Sequence, residues 1–115
     1  MLHKQNRITT KFEFNIIRKY GTRHNFDFFT ATILKPLNYE GPPKVGFIVS
    51  NVIHKKAAKR NRVKRLLRET VRLNLSRIPD NKWIAITVNR KILDKTHEEI
   101  SNQIDKFIQK ISVAK

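Results

Sequence analysis

The chain has 115 residues, 25 of them Lys or Arg against 9 Asp or Glu, for a formal charge of +16. That length allows one domain with one core, and a 39% hydrophobic content with seven Phe and one Trp excludes a disordered polycation. Cysteine is absent, which excludes disulfides and cysteine-held zinc and fits a reducing compartment.

Residues 1 to 8 are polar and basic and are expected to be loosely ordered. Thr10-Lys11-Phe12-Glu13 has the capping-box pattern. The helix it opens should run to about Tyr20 and end at Gly21 in a left-handed cap, with Phe14 and Ile17 on one face. Phe26 to Leu34 reads as a strand from its aromatic and β-branched residues, preceded by a short extra strand near 22–25. Alternation sends Phe29, Ala31 and Ile33 to one side and Phe26, Phe28, Thr30 and Thr32 to the other. The stretch 36–43, with two prolines at its end and Gly41, is a turn-rich connection. Lys44 to Ser50 is the next strand, with Val45, Phe47 and Val49 toward the core. A basic helix follows from about Ala57 to Leu75. Pro79-Asp80-Asn81 breaks the chain before a strand from Trp83 to Val88. Thr96 to Glu99 is a second capping box, opening a helix whose stripe is Ile100, Ile104, Phe107, Ile108 and Ile111. The order α-β-β-α-β-α over residues 1–115 predicts a single α+β domain, helices against a small mixed sheet.

The basic helix carries the functional signal. Nine of the eighteen residues from Lys55 to Arg72 are Lys or Arg, and one is acidic. Val63, Leu66, Leu67, Thr70 and Val71 recur at helical spacing, which docks one face on a core. At 100° per residue Asn61, Arg65, Arg68 and Arg72 fall together on the opposite face, flanked by Arg62 and Lys64. A solvated helix mixes Glu with Lys at i,i+4, whereas like charges at that spacing repel. A polyanion relieves that repulsion, and guanidinium forks suit phosphate oxygens. Nucleic acid is therefore the expected partner, bound with salt-sensitive affinity.

Protein-borne catalysis is not expected. His3, His24, His54 and His97 are scattered without metal-ligand spacing, and Gly21, Gly41 and Gly46 form no phosphate loop. Glu98 and Glu99 point about 100° apart on a helix, and Ser50 has no evident base. No apolar run reaches the length of a membrane span, no signal peptide is legible, and the basic helix has no aromatic insertion face. A cytoplasmic protein that binds RNA or DNA, without membrane contact, is the expectation. Three classes remain open on these residues: a ribonucleoprotein subunit, a ribosomal or other structural RNA-binding protein, and a DNA-binding helix-turn-helix. The last needs a short helix before the recognition helix, where a strand is expected.

Arg60-Asn61-Arg62-Val63-Lys64-Arg65-Leu66-Leu67-Arg68-Glu69 resembles the signature helix of the bacterial ribonuclease P protein subunit. The resemblance extends to Phe14 with Gly21 seven residues on, to Phe29, to Val45-Gly46-Phe47-Ile48-Val49-Ser50, and to the strand after the basic helix. It implies a protein that binds a catalytic RNA and the 5′ leader of precursor tRNA, with magnesium ions bound mainly by the RNA and no obligate protein partner. It also implies a left-handed β-α-β crossover around the basic helix, against the general rule, and a leader cleft between that helix and the sheet.

On this resemblance the RNA-binding set is Lys59, Arg60, Asn61, Arg62, Lys64, Arg65, Arg68 and Arg72, with Arg60 near the edge of the apolar stripe. The leader cleft is assigned Phe14, Phe28, Thr32, Ser50, Lys55, Lys56 and Ala57. Ala57 matches a small residue where the strand passes close. The chain departs from the family where a second aromatic often follows Phe14 by four residues, here Arg18, and where Thr32 replaces an aromatic. Phe28, four residues before Thr32, is expected to supply that stacking surface. The loop from Asn51 to Lys56 is one residue longer than usual and lacks glycine, with Lys55 or Lys56 standing in for a family lysine.

Overall fold

Thr10 and Glu13 close a reciprocal capping box. The Thr10 hydroxyl oxygen accepts from the Glu13 amide at 3.2 Å, and the Glu13 carboxylate accepts from the Thr10 amide at 3.1 Å. This opens α1 (Lys11–Tyr20) in the computed structural model, which describes residues 3–113. Then come β1 (Thr22–Asn25), β2 (Phe29–Leu34), β3 (Lys44–Ile48), α2 (Ala57–Leu73), β4 (Trp83–Val88) and α3 (His97–Val113), in the expected order with the short extra strand realised as β1. Thr96 and Glu99 make the second capping box at α3.

The sheet order is β1-β2-β4-β3. β1–β2 and β2–β4 are antiparallel, while β3 and β4 are parallel neighbours joined through α2. Phe29, Ala31, Val45, Ile84, Ile86 and Val88 face a buried core shared with Val63, Leu67 and Val71 of α2 and with Ile100, Ile104, Phe107 and Ile108 of α3. The opposite face carries a smaller cluster of Ile8, Ile17 and Ala85, edged by Phe14, Leu34 and Trp83. The sheet is thus sandwiched, with α2 and α3 on one side and α1 on the other.

Three expectations are corrected. Residues 4–8 are tied down: a short 3₁₀ turn covers Lys4–Asn6, the Asn6 side chain donates to the Pro43 carbonyl at 3.0 Å, and the Ile8 amide donates to Val45 O at 3.1 Å. Met1 and Leu2 lie outside the described residues. Gly21 is not left-handed; its φ of −78° and ψ of 165° are extended. Glycine is needed there for space, since a Cβ would lie 2.6 Å from Ile17 O and 2.7 Å from Thr32 Cγ2. β2 starts at Phe29, because Phe26 N donates to Phe29 O at 2.8 Å and turns the chain back on β1. Strand alternation does not extend through that turn.

Gly46 presents a second close approach. A Cβ on it would lie 2.5 Å from Phe14 Cζ and 2.7 Å from Ile8 Cβ, so the Phe14 ring rests on the bare strand. Gly46→Ala is expected to destabilise the protein by about 1–3 kcal/mol through overpacking. Urea unfolding measures this, and an unchanged midpoint would show that the ring is not held over Gly46.

Candidate nucleic-acid interface

The faces of α2 follow its sequence periodicity. Val63, Leu67, Thr70 and Val71 are buried, while Asn61, Arg62 and Arg65 are exposed and Lys64 and Arg68 half-buried. Thr70 satisfies its hydroxyl by donating to Leu66 O at 2.8 Å, so a polar residue sits in the core face at little cost. Lys59, Asn61, Arg62, Lys64, Arg65 and Arg68 make no side-chain hydrogen bond or ion pair among the described residues. These groups are available to a polyanion.

Two members of the predicted RNA-binding set are otherwise engaged. Arg60 turns back and donates from Nη1 to the carbonyls of His54 at 2.7 Å and Lys55 at 3.0 Å. It pins the loop that leads into α2 and does not extend the basic row. Arg72 pairs with Glu69, donating from Nε at 3.2 Å. The hydrogen bonds between them lower the Glu69 carboxyl and raise the Arg72 guanidinium relative to their ordinary values.

Among the described residues the apolar face of α2 is buried directly on the strands, with no cleft between them. A groove of about 340 Å³ lies on the other face beside α1. Phe14, Ile17 and Arg18 of α1 wall it, and Arg23, Thr30, Thr32, Ile48, Ala85 and Thr87 floor it from all four strands. The register lines these up: Arg23, Thr32, Ala85 and Gly46 form one row across the sheet, and Asn25, Thr30, Thr87 and Ile48 the next. A half-buried aromatic, two guanidiniums and three hydroxyls suit a single strand, with rings for bases and cations for phosphates.

Of the residues assigned to a leader cleft, Phe14 and Thr32 line this groove. Phe28 does not. It is 1% exposed, tilted against Phe29 in the main core, with the Lys95 ammonium above its ring. The turn at Asp27–Phe28 directs it there, so it offers no stacking surface. Ser50, Lys55, Lys56 and Ala57 are exposed on or after the loop following β3, and none lines the groove. Ala57 is exposed at the start of α2, while the close approach to a bare strand is that of the Phe14 ring to Gly46. Sequence reasoning missed Arg18, Arg23, Thr30 and Thr87. Arg18 was reachable, since it follows Phe14 by one helical turn.

Divalent-metal binding by the protein alone does not fit this surface. Among the described residues no three His, Asp or Glu side chains come together, and the basic face presents donors where such an ion needs oxygen ligands. Nor is any helix among the described residues long and apolar enough to cross a membrane.

A family model described as Ribonuclease P matches residues 2–112. The ribonuclease P protein component of Pseudoalteromonas translucida (strain TAC 125) is 36% identical over 109 residues, covering 95% of this chain and 76% of that one. The corresponding protein of Clostridium novyi (strain NT) is 28% identical over 109 residues, covering 95% and 96%. Among solved structures, the Staphylococcus aureus RNase P protein superposes with a TM-score of 0.83 at 25% identity, covering 94% of this chain and 98% of that one. The Thermotoga maritima RNase P protein has the same fold, with a TM-score of 0.81 at 22% identity over 91% and 96%.

Proposed function

This chain belongs to the bacterial ribonuclease P protein family, and on that premise we propose that it binds the catalytic RNA through α2 and the 5′ leader of precursor tRNA in the groove beside α1. As a ribonuclease P protein component it is a subunit of a tRNA-processing endoribonuclease. The bond-breaking chemistry falls to the RNA, with magnesium ions held mainly by RNA phosphates, and the holoenzyme works in the cytoplasm without an obligate protein partner.

The observation that carries the reading is the separation of two surfaces. One is the unpaired cationic pair Arg65 and Arg68 on α2, with the Asn61 amide beside it, rigid because the helix is anchored by Leu67 and Val71. The other is a groove on the far face of the sheet, built from an aromatic, hydroxyls and two arginines. A protein with two such faces can hold a folded RNA on one and a single strand on the other. Leader binding in the groove places phosphates beside Arg18 and Arg23 and a base against Phe14.

The test is reconstitution. Purified protein is mixed with a bacterial ribonuclease P RNA and precursor tRNA at magnesium concentrations too low for the RNA alone. Accurate, protein-dependent removal of the leader at the mature 5′ end is the expected result. Binding of the RNA without any gain in cleavage would sink the reading and leave a structural RNA-binding protein, the competing class.

A further inference from the structure

A second concavity, about 300 Å³, lies on the α2–α3 side of the molecule, apart from the groove beside α1. Its floor is apolar: Val63, Ile92 and Ile100 are buried beneath half-buried Leu66 and partly exposed Leu93. Lys59 and Arg62 stand on its rim, on the flank of α2 turned away from Lys64. The basic helix therefore divides its cations. Arg65 and the half-buried Arg68 lie on the outer face beside Asn61, while Lys59 and Arg62 border this hollow.

The rim is pre-set. The His54 ring accepts the Lys56 amide at Nδ1 over 3.0 Å. The proton of its neutral form therefore sits on Nε2, which remains a donor. Arg60 holds the same loop by its carbonyls, and Arg90 donates to Val52 O at 2.7 Å from the other end. Lys95 is already paired with Asp27 at 3.5 Å and with Glu99 at 3.9 Å, so its charge is partly spent. Lys59 and Arg62 have no such partner among the described residues. Asp94 is the one carboxylate on the rim.

We propose that this hollow receives one unpaired nucleotide of a bound RNA, its base lying on Leu66 and Leu93 and its phosphate held by Lys59, Arg62 and His54 Nε2. The charge of the rim selects an anion, and the floor selects a flat apolar face. A nucleotide turned out of a helix offers both at the separation of one sugar, and apolar surface plus stacking rewards its extrusion. An acidic protein segment would meet the same cations, but its carboxylates and any ring lie on separate residues, whereas a nucleotide carries anion and planar face on one unit. The proposal rests on the reading of α2 as an RNA face, and goes beyond it by assigning Lys59 and Arg62 a separate task.

The absence of cysteine makes the test direct. Leu93→Cys places a single thiol in the hollow, and its alkylation by N-ethylmaleimide is followed with and without a bacterial ribonuclease P RNA. Bound RNA is expected to slow alkylation at least tenfold. A blunt RNA duplex lacking unpaired nucleotides should leave the rate unchanged. Alkylating first, to fill the hollow, should weaken RNA binding at least fivefold, whereas the same treatment of Lys106→Cys, far along α3, should not. RNA that binds tightly while the thiol stays as reactive as in free protein overturns the proposal and leaves the RNA-binding reading intact. Failure of RNA to bind at all overturns both. Protection by a polyglutamate peptide and not by RNA would assign the hollow to an acidic protein instead.

Discussion

Leu67→Ala is expected to lower the unfolding free energy by about 2–5 kcal/mol, the range for emptying a fully buried leucine site. Leu67 is 0% exposed and sits where α2 meets the sheet and α3. Domains of this kind are stable by only about 5–15 kcal/mol, so the loss would consume a large share of the total. Beyond the cavity, the variant loosens the helix that presents the cationic row, and RNA affinity should fall with it. Urea unfolding followed by circular dichroism measures the first effect. A variant as stable as the parent would mean that α2 is not seated on Leu67 and that its faces are assigned the wrong way round.

Replacing Arg65 and Arg68 together by Ala should do the opposite: leave the urea midpoint nearly unchanged and cost about a hundredfold in affinity for the catalytic RNA. Neither side chain makes a hydrogen bond within the described protein, so folding loses little. Each phosphate contact by a charged donor contributes roughly 1.5 kcal/mol or more. The sharper readout is salt. Each cation removed should flatten the log–log salt dependence by about 0.7–0.9, so the double variant should lose about 1.4–1.8 from its slope. Filter binding across a range of potassium concentrations gives the number. An unchanged slope would show that these arginines do not meet phosphate.

How far the sequence carried the site depends on which contacts are local. The docked face of α2 was legible because Val63, Leu67 and Val71 recur at helical spacing and Thr70 hides its hydroxyl on its own helix. Both capping boxes were legible because they are closed within four residues. Phe28 was misplaced because alternation describes an extended strand, and the chain turns at Asp27–Phe28 under the hydrogen bond from Phe26 to Phe29. The loop contacts of Arg60 were not legible because its partners are carbonyls whose position no helical periodicity encodes. The groove that Phe14 and Thr32 line opens on the face of the sheet opposite α2, not between α2 and the sheet. Its floor is assembled from four strands whose order, β1-β2-β4-β3, is not the order of the chain. Arg18 and Arg23 become neighbours of Thr87 only once that order is known.

The anchoring of the N-terminal segment has a consequence for how molecules of this protein meet one another. β3 lies at the edge of the sheet and reads Lys-Val-Gly-Phe-Ile, an apolar stretch whose free amides and carbonyls would template the addition of a foreign strand. Arg7 bridges to Val45, and the Ile8 amide occupies the Val45 carbonyl. The opposite edge, β1, is Thr-Arg-His-Asn, short and polar. Residues 7 and 8 thus cover the Val45 position of one border and the composition of β1 blunts the other, which shortens the run of open strand that a second molecule could pair with.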